Sequence, residues 1–364
     1  PRITIVRFNP LTPTISTGVT SVVFRVTFRD NVSGVTTNSF ATTTTGTAAG
    51  SIASVSAGSG TIFDVTVNGL SGSGTLRLDL KSNNGIIDSG GNPEAGYTAG
   101  EAYTLVLPTI GNGTWIQALS GGLWSDPSNW LNAVIADGGN AANFNTVNIT
   151  ANNMVHLDSP RTLNSLTFGD TDGTSPASWL VDNNNLAGNT LSLTGATPTI
   201  TVNALGAGAN TTIGASLIGT AGLNKAGAGT LILSAPNQLT GVLNLNGGQL
   251  QVTSGGTNNL GTSAVNTALN TRLGVAGGSF TTGGLVSATT SQVVIDSGAA
   301  SLGNFRTNSD FSGTLRINGG TLAVGDVNIR RNAGTTPDFN SGFIVTGGSA
   351  SVNTIGLGTQ NSYG

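Results

Sequence analysis

The 364-residue sequence has no cysteine, one histidine and one methionine, and charged residues make up only 8% of it. Without cysteine there are no disulfide staples and no thiolate metal sites. With His156 alone, histidine-based triads and most metal centres lack their parts. The only glutamates are Glu94 and Glu101 and the only lysines are Lys81 and Lys225, so helices would have almost nothing from which to build polar faces. A net charge of −3, with basic residues thinly scattered, leaves no footprint for phosphate contacts and argues against nucleic acid as a partner. No run approaches the ~18 apolar residues that span a bilayer, so no transmembrane segment is expected. No charged-then-apolar leader opens the chain, whose first residue is Pro1, which suggests a processed product or a section of something longer.

What the chain does contain is 55 glycines, many Thr, Ser and Asn, and short alternating aliphatic runs within a hydrophobic content of 37%. Such runs are what disordered segments lack, and they predict an all-β fold with real cores. Residues 1–108 carry strands at the spacing of an antiparallel sandwich. Val22, Phe24, Val26 and Phe28 share one face, as do Phe63, Val65 and Val67. Leu76, Leu78 and Leu80 share another, with Arg77, Asp79 and Lys81 opposite. Further strands begin near Ile3, Phe40, Ile52 and Tyr103. The segments Val23-Phe24-Arg25-Val26-Thr27-Phe28, Gly72-Ser73-Gly74-Thr75-Leu76-Arg77-Leu78 and Ile87-Asp88-Ser89-Gly90-Gly91-Asn92 resemble the Ig-like modules of large bacterial surface proteins, which implies a spacer or contact surface. Asp88, Asn92 and Glu94 offer oxygens around a glycine turn. Calcium would need about six, so a polar hairpin loop is the favoured reading.

Residues 109–190 begin with Trp115, Trp124 and Trp130 close together. Exposed aromatics can stack on sugars, but bulky rings also shield the first coil of a stacked fold from water, and an open end is an aggregation liability, which favours the capping role. Short strands are expected at Thr146–Ile149, Val155–Leu157, Leu163–Phe168 and Ser178–Val181. The segments Gly122-Leu123-Trp124-Ser125-Asp126-Pro127-Ser128-Asn129-Trp130 and Leu163-Asn164-Ser165-Leu166-Thr167-Phe168-Gly169 are similar to the lead-in of bacterial autotransporter-associated β-strand-repeat proteins.

From residue 191 to 364 an aliphatic alternation, a glycine turn and a second alternation recur, as in Leu243-Asn-Leu-Asn-Gly-Gly-Gln-Leu-Gln-Val252 and Leu315-Arg-Ile-Asn-Gly-Gly-Thr-Leu-Ala-Val324. The second glycines fall at 248, 278, 298, 320 and 348, steps of 30, 20, 22 and 28 residues, close to one coil of a right-handed parallel β-helix. Leu223-Asn-Lys-Ala-Gly-Ala-Gly-Thr-Leu-Ile-Leu-Ser234, followed by Leu245-Asn-Gly-Gly-Gln-Leu-Gln-Val252, resembles the autotransporter-associated strand repeat. Members of that family are secreted passengers or giant surface proteins, so the resemblance implies an extracellular, cell-surface protein of a Gram-negative-type bacterium. No membrane-barrel segment follows Gly364, so a fragment or another export device is implied.

A polysaccharide-cleaving β-helix would need clustered carboxylates. Asp170 and Asp172 flank a turn, while Asp182, Asp296, Asp310 and Asp338 are dispersed, and Arg330-Arg331 suggests an exposed corner. The expectation is therefore a non-enzymatic structural or adhesive protein with no cofactor and no catalytic or metal residues. Its contacts would be with glycans, other surface proteins or further copies of itself. A stalk or adhesin, an end-to-end filament subunit, and a polysaccharide-binding or polysaccharide-degrading β-helix remain distinct alternatives.

Overall fold

A computed structural model describes residues 3–16, 19–56, 60–253, 256–260, 262–288, 291–307, 313–332 and 342–360. The chain divides into two compact units, Pro1–Thr109 with Trp130–Ile135, and Ile110–Asn129 with Ala136–Gly364.

The first unit is a β-sandwich. One sheet orders strands Ile3–Asn9, Ser21–Ser33, Gly60–Ser71 and Ala49–Val55, with Ile87–Asp88 added to the second of these. The other orders Thr14–Ile15, Ala102–Val106, Ser73–Leu80 and Phe40–Thr44. The period-two pattern decides what is inside: Val22, Phe24, Val26, Phe28, Phe63, Val65, Val67, Leu76, Leu78 and Leu80 are all buried. Phe24 meets Tyr103 edge-on at 5.1 Å, and the Tyr103 hydroxyl donates to the Pro10 carbonyl at 2.7 Å. Asp79 departs from the expected outward setting, being only 8% exposed. Its strand lies between two neighbours, and Arg77 Nε (2.7 Å) and the Thr43 hydroxyl (2.5 Å) close over the carboxylate. Burial pushes the Asp79 carboxyl up, but these donors outweigh it and hold the group below its ordinary value.

The second unit is a parallel β-solenoid of about 9 turns, whose strands form three stacks. Leu231, Leu250, Leu273, Val293 and Leu315 occupy one inward position on successive coils, giving coils of 19, 23, 20 and 22 residues. A second stack runs through Leu223, Leu243, Val265, Val286, Phe305 and Val327, all buried. A single coil cannot bury its apolar edge, so the core exists only because each coil covers the last.

The corner glycines follow from this stacking. Gly278, Gly298, Gly320 and Gly348 form one ladder: the Cβ of an alanine at 320 would lie 2.3 Å from the Gly298 carbonyl oxygen, and at 348 the same distance from that of Gly320. Gly248 belongs to a different corner, over Gly229, so the 30-residue step expected from the sequence joined two unlike turns. Thr146–Ile149 is likewise a bend rather than a strand, with Val147 and Ile149 buried behind the true strand Asn140–Phe144. Arg330 and Arg331 are not at a corner but within strand Thr321–Asn332, in register with Gly358 and Thr359.

Candidate functional site

Outside the core, the solenoid presents columns of short polar side chains in register. On one face Asn244 Nδ2 donates to Asn224 Oδ1 (2.8 Å) and Asn266 Nδ2 donates to Asn244 Oδ1 (2.9 Å), an amide ladder across three coils. On another, Arg272 Nη2 donates to Asp296 Oδ2 (2.6 Å) and Asn318 Nδ2 donates to Asp296 Oδ1 (2.8 Å). The third carries a shallow depression of about 490 Å³ lined by small residues, among them Ser301, Thr321, Ala323, Ser349 and Ser351. Such a surface offers hydroxyl, amide and methyl contacts at the ~4.8 Å strand spacing, with little charge.

Among the described residues the titratable groups meet mostly in pairs, with one three-membered cluster around Arg161. His156 Nδ1 lies 2.9 Å from Asp182 Oδ1, the two residues being register partners on adjacent coils. This pairing across 26 residues was invisible in the sequence because the coil length there was unknown. Arg161 Nη1 donates to Asp137 Oδ2 at 3.1 Å and Nη2 lies 3.7 Å from Asp158 Oδ1, while Asp158 also accepts from the Ser125 amide and hydroxyl. Asp172 caps Thr174, which holds its carboxyl below the ordinary value. Asp88 Oδ1 accepts from the amides of Gly90 and Asn92, both at 2.8 Å. The Asp88–Glu94 loop is thus closed by its own backbone donors. Asp310 and Asp338 lie outside the described residues. Among the described residues, no group of three or more His, Asp or Glu could hold a metal ion.

The tryptophans are interior. Trp115, Trp124 and Trp179 are 0% exposed and Trp130 1%, so none presents a ring face for sugar stacking. Their indole N–H groups are satisfied within the fold: Trp115 donates to Gln117 O (2.8 Å), Trp124 to Ala136 O (2.9 Å) and Trp179 to Gly169 O (2.9 Å). Phe144 stacks on Phe168 at 4.9 Å and has Trp115, Trp124 and Trp179 around it at 5.5–5.6 Å. Phe144 and Phe168 fill one inward position on two successive coils, and Val202 takes it in the next.

One buried residue escaped sequence reasoning. Lys225 is fully buried at an inward position held by Ile200 and Leu245 in the adjoining coils. Its Nζ donates to the carbonyls of Ala226 (2.8 Å), Gly227 (3.0 Å) and Gly247 (3.1 Å), so all three ammonium protons are used. Aligning Leu223-Asn-Lys225 with Leu243-Asn-Leu245 would have revealed a lysine in an aliphatic slot. Burial pushes its ammonium down to about 8 from the ordinary 10.5. Between those values the folded chain has shed a proton that the unfolded chain keeps, so this group makes the solenoid more stable as pH rises from about 8 to 10.5. Urea midpoints across that window should rise for the parent relative to Lys225→Met, the difference flattening below pH 8. A constant difference would contradict the titration.

The surface pair in the sandwich is expected to matter far less. Arg25 donates to both oxygens of Asp64 (2.8 and 2.9 Å) and lies over the Phe8 ring at 3.4 Å, in a partly exposed setting. A double-mutant cycle with Arg25→Ala and Asp64→Ala should return the small coupling of an exposed ion pair, one that weakens further as salt is added.

The stacked coils, their glycine corners and the aliphatic phrase on either side of them are also where known proteins match. Residues 223–252 and 304–324 match the passenger-associated-transport-repeat family. The first begins on the strand that carries Lys225 and runs through the Gly247-Gly248 corner onto the next coil. The chain is also 31% identical over 271 residues to the adhesin BmaC autotransporter of Brucella suis biovar 1 (strain 1330), a match that covers 69% of this chain and 7% of that protein. No solved structure matches the chain. Among the described residues, no helix is long and apolar enough to cross a membrane.

Proposed function

We propose that this chain is a section of a cell-surface passenger of a Gram-negative-type bacterium, acting as a non-enzymatic stalk and adhesive surface. The observation that carries the reading is the coincidence of matches to the passenger-associated-transport repeat with a solenoid whose outward columns carry in-register ladders of short polar side chains. A repeating scaffold of this kind extends a surface by adding coils, and rows of Asn, Ser and Thr solvate it without like-charge repulsion between rungs. The similarity to an adhesin autotransporter supports contact with other cells or their glycans as the use of that surface. Among the described residues, the carboxylates of Asp137 and Asp158 are both engaged by Arg161, and His156 is paired with Asp182 alone, an arrangement that favours a structural use over a cleavage reaction.

Beads coated with the whole chain should bind cultured cells or immobilised glycans above beads coated with an unrelated β protein. Incubation with a panel of polysaccharides should release no reducing ends. Release of reducing ends that disappears in His156→Ala would contradict the non-enzymatic reading. Electron microscopy of the same material should show separate particles, and ordered filaments would instead favour end-to-end assembly.

A further inference from the structure

We propose that Lys225 is a register key, selecting which coil stacks on coil 223–226. The apolar columns penalise a skipped coil only through its lost burial and carry no mark of which coil comes next. Leu223 rests against Leu243 and the next coil offers Val265, so a chain that looped out one coil would still bury aliphatic on aliphatic. The external amide ladder carries no such mark either, because Asn224, Asn244 and Asn266 are interchangeable along their column.

Lys225 does discriminate. In the native register the corner above it supplies the Gly247 carbonyl as third acceptor, at 3.1 Å. That corner also fits closely, the Cβ position of Gly248 lying 2.3 Å from the Gly229 carbonyl oxygen, where only glycine can sit. In the skipped register the corner would be Ala268-Leu269-Asn270-Thr271, which has no glycine. Its Ala268 carbonyl already accepts from the Thr271 hydroxyl at 2.7 Å. The ammonium would then keep two acceptors in a dry core, and a buried charge that loses a partner is strongly disfavoured. A single polar group in an apolar seam selects register in the same way when an Asn is placed in a coiled-coil core. The lysine in this slot therefore serves uniqueness of stacking, at some loss of the packing that leucine would give.

Because the chain has no cysteine, cross-links can report the stacking. Asn224→Cys with Asn244→Cys reports the native register, and Asn224→Cys with Asn266→Cys reports the skipped one. After refolding from denaturant and mild oxidation, the parent should form the first link and only background of the second. In Lys225→Met the second should rise at least tenfold. Leu245→Ala, which removes packing from the same column but leaves the ammonium, should lower stability without raising it. The proposal is overturned if the skipped link stays at background in Lys225→Met, or rises as much in Leu245→Ala. Should Lys225→Met yield no folded chain, Lys225→Leu is put to the same measurement, since Leu245 fills the matching slot of the next coil without an ammonium; there too a skipped link at background overturns the proposal.

Discussion

Gly320→Ala should lower the stability of the solenoid by about 3 kcal/mol or more, because two separate penalties fall on one methyl group. The first is conformational: Gly320 has φ +74, where an L-residue with a Cβ loses about 1–2 kcal/mol. The second is steric. The new Cβ would stand 2.3 Å from the Gly298 carbonyl oxygen of the coil beneath, a backbone atom that cannot rotate away. Two control positions separate these penalties. Gly208 has φ +78 and nothing within 4 Å of its would-be Cβ, so Gly208→Ala should lose only the conformational part, about 1 kcal/mol. Gly303 is not in the left-handed region, yet its Cβ would lie 2.2 Å from the Gly283 oxygen, so Gly303→Ala isolates the steric part. Urea unfolding of the three variants, followed by far-ultraviolet circular dichroism, should rank Gly320→Ala as the worst and Gly208→Ala as the mildest. Equal losses in Gly320→Ala and Gly208→Ala, with none in Gly303→Ala, would mean that the coils are not in contact at these corners.

Phe144→Ala should be of similar size, about 3–5 kcal/mol, the range for deleting a buried aromatic ring. Phe144 is fully buried, stacks on Phe168 with an interplanar angle of 10°, and has three indoles packed around it. Since Trp115, Trp124 and Trp179 all border the cavity that would form, their fluorescence should shift to longer wavelength together as water enters. Exposed Ile116 lies in the same region at 47% exposure, and Ile116→Ala should leave both stability and emission within about 0.5 kcal/mol and baseline. If Phe144→Ala behaved like Ile116→Ala, the aromatic filling of the first coils would not be what secures them.

The sandwich was legible because alternation in a half-buried strand is written directly into side-chain type. Val22, Phe24, Val26 and Phe28 lie where period two puts them. Asp79 was misplaced because the same alternation cannot see lateral neighbours: whether an outward carboxylate is wet depends on Thr43 and Arg77 crossing over it. The solenoid was legible from its glycines, which stacking demands, but not its phase. Glycine corners occur on more than one edge of the solenoid, so Gly248 and Gly278 look alike in sequence while lying on different edges. For the same reason the contacts between coils stayed hidden. Lys225 meets Gly247, His156 meets Asp182 and Arg272 meets Asp296 only once the number of residues per turn is fixed. The tryptophans show the opposite case, since clustering indicated a special region and only burial decided that the rings fill the core rather than face a glycan.

If the coils pile up in a single column, distances along that column grow by one strand spacing per coil. Ser165, Thr199, Asn224, Asn244, Asn266, Ser287, Arg306 and Asn328 are consecutive register partners on one outward face. Spin labels on cysteines at 165 and 266 are four coils apart, at 165 and 306 six, and at 165 and 328 seven. Pulsed dipolar spectroscopy should give about 19, 29 and 34 Å, a constant increment of ~4.8 Å per coil. Separations that fail to grow with coil number, or a broad distribution for the pair at 165 and 328, would show that these segments are not rungs of one stack.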